Sequence, residues 1–194
     1  QITINPTNNL ESSTEYYVQI DTTAFDDTFG NSYAGIVNAW TQIGSDIDGE
    51  SSTDYSGHSV SLSSDGSVVA IGAYGNDGGG SNSGHVRLYK NNNGTWTQIG
   101  SDIDGEGNSD YFGWSVSLSE DGSVVAIGGI YDDDAATDAG HVRIYQNNNG
   151  TWTQIGSDID GESSSDQSGW SVSLSGDGSV VAIGARYNDG GGSN

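Results

Sequence analysis

Cysteine and methionine are absent from the 194 residues, and proline occurs once. Without cysteine there can be no disulfide, no thiol chemistry and no thiolate zinc site. Basic residues are nearly as scarce: Arg87, Lys90, Arg143 and Arg186 face 27 acidic residues, a formal net charge of −23 at pH 7. Phosphate backbones are held by clustered Lys and Arg that release counterions, so nucleic acid is excluded as a partner, as are anionic membrane surfaces. Long apolar runs are missing too. Nothing approaches the roughly 20 residues of a membrane helix, so membrane insertion is not expected, and no basic segment followed by an apolar run opens the chain. Residue 1 is not methionine, and Asn194 falls inside a Gly-rich segment, so the expectation is a piece of a longer protein.

What the chain does contain is a repeat. Shifted by 56 residues, it superposes Trp40, Trp96 and Trp152, then Gly57, Gly113 and Gly169, then Asp65, Asp121 and Asp177, without insertion or deletion. The segment Trp96 to Glu106 recurs unchanged at Trp40 to Glu50 and at Trp152 to Glu162. A fixed period of this length signals stacked supersecondary units.

Within one unit, Ser59-Val60-Ser61-Leu62-Ser63 alternates, which predicts a half-buried strand with Val60 and Leu62 on the covered face. Asp65-Gly66 supplies a hairpin turn, and the unbroken apolar run Val68 to Gly72 predicts a central strand covered on both sides. A third strand is expected over Gly84 to Tyr89, a turn at Asn91 to Gly94, and a fourth strand over Thr95 to Ile99. The i, i+3, i+4 spacing of a helix is found nowhere. The expected fold class is all-β, with four-stranded antiparallel blades of a β-propeller. A β-solenoid is the rival, but 56 residues with three hairpin-like turns suit a blade better. Residues 39–56 would close a preceding blade, 57–112 and 113–168 would each be a blade, and 169–194 part of another. Closing a propeller takes about four to eight blades, so the rest must come from the same polypeptide or from further copies.

The unit Tyr111-Phe112-Gly113-Trp114-Ser115-Val116-Ser117-Leu118, with Val69 to Ala73 and Gly84-His85-Val86-Arg87, resembles the FG-GAP repeat over about residues 39–194. The resemblance implies a propeller of the kind found in integrin α-subunits and large bacterial surface proteins, an extracellular or cell-surface location, adhesion or recognition, and no catalysis. Two departures stand out. Ser56-Gly57 and Ser168-Gly169 replace Phe-Gly, and the turn Ser64-Asp65-Gly66-Ser67 is too short for the integrin calcium loop, so that calcium site does not carry over. Residues 1–38, with Tyr16-Tyr17-Val18-Gln19-Ile20-Asp21 and Gly30-Asn31-Ser32-Tyr33-Ala34-Gly35, resemble the C-terminal part of a bacterial S-layer-type Ig-like domain.

Three acidic sets recur: Asp46, Asp48, Glu50 and Asp54; Asp102, Asp104, Glu106 and Asp110; Asp158, Asp160, Glu162 and Asp166. Carboxylates at i, i+2 and i+4 around a glycine either converge on Ca²⁺, which takes six to eight oxygens, or serve turns and solubility. A second acidic loop, Asp132 to Asp138, reads as solvated. His85 and His141 recur in each unit, which suits a strand-surface or inter-blade contact better than a catalytic role. Trp40, Trp96 and Trp152 never vary and read as core anchors. His58, Trp114 and Trp170 occupy one equivalent but variable position, where aromatic faces could stack on a ligand such as a sugar. No singular His or carboxylate pair breaks the repeat, as an enzyme would require. The expected function is a non-enzymatic extracellular structural or adhesive module binding a protein or glycan. A lectin-like propeller and the propeller portion of a glycan-active enzyme are the alternatives.

Overall fold

The computed structural model describes residues 42–190, and the reading of residues 1–38 as Ig-like, like Trp40, lies outside them. The chain divides between Gln42 and Ile43 into two compact units, and the second carries the elements below. These are all β: β1 (Ser59–Leu62), β2 (Val68–Ala73), β3 (His85–Asn92), β4 (Thr95–Gln98) and β5 (Ile103–Asp104) form one sheet. β6 (Phe112–Leu118), β7 (Val124–Gly129), β8 (His141–Asn148), β9 (Thr151–Gln154) and β10 (Ile159–Asp160) form a second. β11 (Ser171–Leu174) and β12 (Val181–Gly184) begin a third. Every ladder within a sheet is antiparallel.

Local chemistry explains each turn. Between β1 and β2, Asp65 Oδ1 accepts the Ser63 hydroxyl at 2.8 Å and the Ser67 N–H at 2.9 Å, and Ser63 Oγ accepts the Val68 N–H at 2.9 Å. The same contacts recur around Asp121 and Asp177. Between β3 and β4, Asn93 and Gly94 have φ of 52° and 89°. Two consecutive positive φ values make the hairpin turn that matches strand twist, and Asn-Gly is the pair best suited to it.

The fourth strand is broken. β4 pairs with the far end of β3 and β5 with its start, His85 opposite Asp104 and Val86 opposite Ile103. Ile99 still donates its N–H to the Leu88 carbonyl of β3 at 2.8 Å while its own carbonyl accepts the indole N–H of Trp152 from the next unit at 3.0 Å, and the ladder lapses over residues 100–102. Ile43 and Trp96 repeat the contact at 3.0 Å. Trp96 and Trp152 are therefore half-buried ties between units, and Trp152 also packs against the core, as expected of it.

The core lies between the first two sheets. Val68, Ala70, Val86, Leu88, Ile103, Phe112, Leu118, Val125 and Ile127 form one buried cluster. Each large side chain contributes about 1.5–3 kcal/mol by leaving water. β2 and β7 are the covered central strands that their apolar runs predict. The alternating first strand behaves otherwise: Val60 and Leu62 are 63% and 60% exposed, whereas the equivalent Leu118 is 7% exposed. The apolar face of this strand is covered by the preceding unit, as β2 covers Leu118. Among the described residues no sheet precedes β1.

The serine face of the same strand points forward. Ser59 Oγ donates to the Gly113 carbonyl and Ser115 Oγ to that of Gly169, both at 2.7 Å. Phe112 and Gly84 form a bridge between units. A Cβ at Gly84, whose φ is +79°, would fall on the Phe112 carbonyl oxygen, so only glycine allows this approach.

Candidate functional site

Two regions gather side chains with chemistry. The first is a run of aromatic groups at one end of the sheets, and the second is a buried set of carboxylates and histidines at the starts of β3 and β8.

His58, Trp114 and Trp170, equivalent in the three units, come together in space. The His58 and Trp114 ring centroids are 4.6 Å apart, and those of Trp114 and Trp170 are 5.0 Å apart. Tyr74 joins at 4.7 Å from His58 and 5.0 Å from Trp114, and stacks on Tyr55 at 4.8 Å and 3°. The Arg186 guanidinium lies over Trp170, 4.4 Å from its centroid. Tilted contacts of this kind suit the ring quadrupoles, and the guanidinium suits the negative face of an indole. His58 and Tyr55 are exposed, while Tyr74, Trp114 and Trp170 are half-buried. The 56-residue period pointed to the first three residues. Tyr55 lies three residues before His58 in the same turn, and Tyr74 and Arg186 share one position of the repeat, but the sequence does not show that they meet the aromatic run.

The acidic sets are dispersed. Asp102 accepts the Gln98 side-chain N–H at 2.5 Å, while Glu106 lies 2.8 Å from Arg143 of the next sheet. Asp158 accepts the Gln154 amide at 2.6 Å and Arg143 Nε at 2.9 Å. Burial works against the charge of Arg143, yet Asp158 and Glu106 hold its pKa above the ordinary value. In the first unit, Arg87 donates to the Asp48 carbonyl at 2.9 Å, and Glu50 lies 3.7 Å from Arg87. Asp46 lines a groove with Gly44, Tyr89 and Trp96, and Asp102 and Asp104 line the equivalent groove with Tyr145 and Trp152. Asp54, Asp110 and Asp166, the last acid of each set, are buried at 4%, 5% and 1% exposure. Glu162 is exposed. Among the described residues no set brings three of its own four carboxylates to one point. The groups that do converge combine elements: Glu50 with His85 and Asp102, and Asp132 with His141 and Asp160.

The histidines are not on the surface, with His85 at 1% and His141 at 0% exposure. Burial lowers the His85 pKa against the pull of Asp102, so this ring is neutral at physiological pH. Asp132, expected in a solvated loop, is only 3% exposed. Burial pushes its carboxyl up, but the His141 ring, the Asp134 N–H and Arg143 together bring it below its usual range. Burial raises Asp110, Asp104 and Asp160.

Repeated antiparallel units of this kind, tied edge to edge through their first strands, define a propeller-type repeat module. Residues 45–89, 100–145 and 158–194 match the FG-GAP repeat, and together these stretches cover more than half of the chain. The chain belongs to the FG-GAP repeat family, whose members are typically extracellular. No curated protein matches it.

FG-GAP repeats often bind calcium. The turn between the first two strands does not fit that ion here. The first and third of these turns offer one carboxylate each, Asp65 and Asp177, and the second offers Glu120 and Asp121; Oδ1 of each aspartate is already taken by hydroxyl and N–H donors. Ca²⁺ needs six to eight oxygens.

Proposed function

We propose that the chain is a non-enzymatic binding and adhesion module of a large extracellular bacterial surface or secreted repeat protein. The observation that carries this reading is the aromatic run His58, Tyr74, Trp114 and Trp170, assembled from successive units and partly open to solvent. Aromatic faces at a surface give large contact area at little entropic cost. Family membership, the strong negative charge and the head-to-tail ties between units support it. Within this reading the partner is an extracellular protein or a glycan, the segment 1–38 is an Ig-like module, and further blades come from the same polypeptide or from other copies. Ca²⁺ remains a cation that the acidic surface attracts.

A lectin is the second reading, because adjacent indoles can stack on successive sugar faces. A glycan array probed with the chain and with a Trp114→Ala, Trp170→Ala double variant tests it. Glycan binding lost in the double variant supports the aromatic run as a lectin surface. Binding that survives removal of both indoles rules that surface out, and no binding at all leaves the protein-partner reading alone.

A further inference from the structure

The second unit departs from its neighbours at one buried position. In the first unit the Asn76 amide donates to Asp54 Oδ2 at 3.0 Å, and in the third the Asn188 amide donates to Asp166 Oδ2 at 3.2 Å. In the second unit the asparagine is replaced by Asp132, so the buried Asp110 faces a second buried carboxylate instead of an amide donor. Two buried acids without a cation or a proton between them repel each other. The Gly107 N–H donates to Asp110 Oδ2 at 2.6 Å and the Asp134 N–H to Asp132 Oδ1 at 3.1 Å, so each acid has a backbone donor but no side-chain amide stands between them.

His141 stands beside this pair. It is the first residue of β8, fully buried, with Asp160 of β10 directly opposite. Its Nδ1 is 2.9 Å from Asp132 Oδ2, an ion-pair contact, and its Nε2 has no hydrogen-bond partner. A fully buried imidazole whose Nε2 has no partner is unusual, since buried polar groups are nearly always satisfied. One ligand atom each from Asp132, His141 and Asp160 lie within 4.8 Å of one another. Around a tetrahedral ion with bonds of about 2.0–2.2 Å, donors sit roughly 3.4 Å apart. Exposed Asp160 can close that difference by turning inward, and its solvent side provides the entry path.

We infer that Asp132, His141 and Asp160 bind a divalent first-row transition ion of the Zn²⁺ type, with Asp110 balancing its charge from behind. The ion does for the second unit what the Asn76 and Asn188 amides do for the others, by placing positive charge against the buried aspartate. Imidazole nitrogen selects such an ion over Ca²⁺, which prefers an all-oxygen shell. Asp110 and Asp132 thus form a carboxylate pair that breaks the repeat, which the sequence did not lead one to expect, and its near-complete burial with His141 assigns the ion a structural role.

The test is titration of the untagged 194-residue chain at pH 7.5, with Zn²⁺ followed by calorimetry and Co²⁺ followed by visible absorption. One saturable site with a d–d spectrum is expected, weakened at least tenfold in Asp132→Asn and in His141→Gln. Asp132→Asn installs the residue that the other units already carry, so its metal-free melting at or above that of the parent chain checks that it folds. The inference is overturned by absence of saturable uptake, by equal affinity in Asp132→Asn, which would place the ion at His58, His85 or the acidic surface, or by Ca²⁺ displacing Co²⁺ at equal concentration.

Discussion

Ser61 Oγ accepts the backbone N–H of Leu118 at 3.0 Å, across the junction between the first strands of two successive units. Ser117 does the same for Leu174 at 2.9 Å. A side chain thus completes the hydrogen bonding of a neighbouring strand whose own ladder runs along its other edge.

Ser61→Ala should leave the Leu118 N–H without its acceptor. The expected cost is about 1–3 kcal/mol, the penalty for an unsatisfied and partly buried donor. Ser173→Ala, at the exposed equivalent position of β11, should cost less. Urea unfolding with an unchanged m-value distinguishes the two.

Phe112 is fully buried at the junction of the first two sheets, where the other units carry Ser56 and Ser168. Phe112→Ala should lower stability by about 3–5 kcal/mol, through lost transfer energy and the cavity left behind. A shift in the denaturation midpoint well above that of an exposed control such as Tyr55→Ala is the expected result.

Arg143 is 1% exposed and lies 2.8 Å from both Asp158 and Glu106, while Arg87 is 3.7 Å from an exposed Glu50. Arg143→Ala should cost about 2–3 kcal/mol, less than for a fully enclosed pair because Asp158 keeps contact with water. Arg87→Ala should cost less than that, and calorimetric melting of both variants gives the order.

The dependence on pH should have two limbs. The Asp65 and Asp177 carboxyls are lowered from 3.8 to about 2 by N–H and hydroxyl donors, and Asp121 is lowered by the same kind of contacts. Such groups favour the folded state above the unfolded value and lose that contribution as pH falls from 3.8 through about 2. Asp104, Asp110 and Asp160 are raised by burial, so they oppose folding at neutral pH and relax as they take up protons. On acidification in metal-free buffer the first limb therefore combines a gain from these three carboxyls with a loss from His85, whose burial lowers its pKa, and the second limb is the loss of stability below about pH 4. Asp110→Asn should reduce that gain and leave the second limb, as urea midpoints measured across the pH range will report.

The strands and their order were legible in the chain because the alternation at Ser59 to Ser63, the apolar run at Val68 to Gly72 and the Asn-Gly turn are local signals. The broken fourth strand was not, because the break follows a contact of Ile99 with Trp152, 53 residues away. The exposure of Val60 and Leu62 was also hidden, since alternation tells which residues share a face but not what covers that face. The three positions of the aromatic run stood out through the period, while Tyr74 and Arg186 required the strands to be placed side by side.

The sequence by itself determined the all-β class, the 56-residue unit, the acidic character and the family, since each rests on local pattern or on repetition along one dimension. Tertiary structure decided the fate of the charges. It separated the carboxylates within a set because neighbouring acids are drawn to different partners, Asp102 to the Gln98 amide and Glu106 to Arg143 of the next sheet. It also brought Asp110, Asp132, His141 and Asp160 together from two loops and two strands, because antiparallel pairing places residues distant along the chain directly opposite one another.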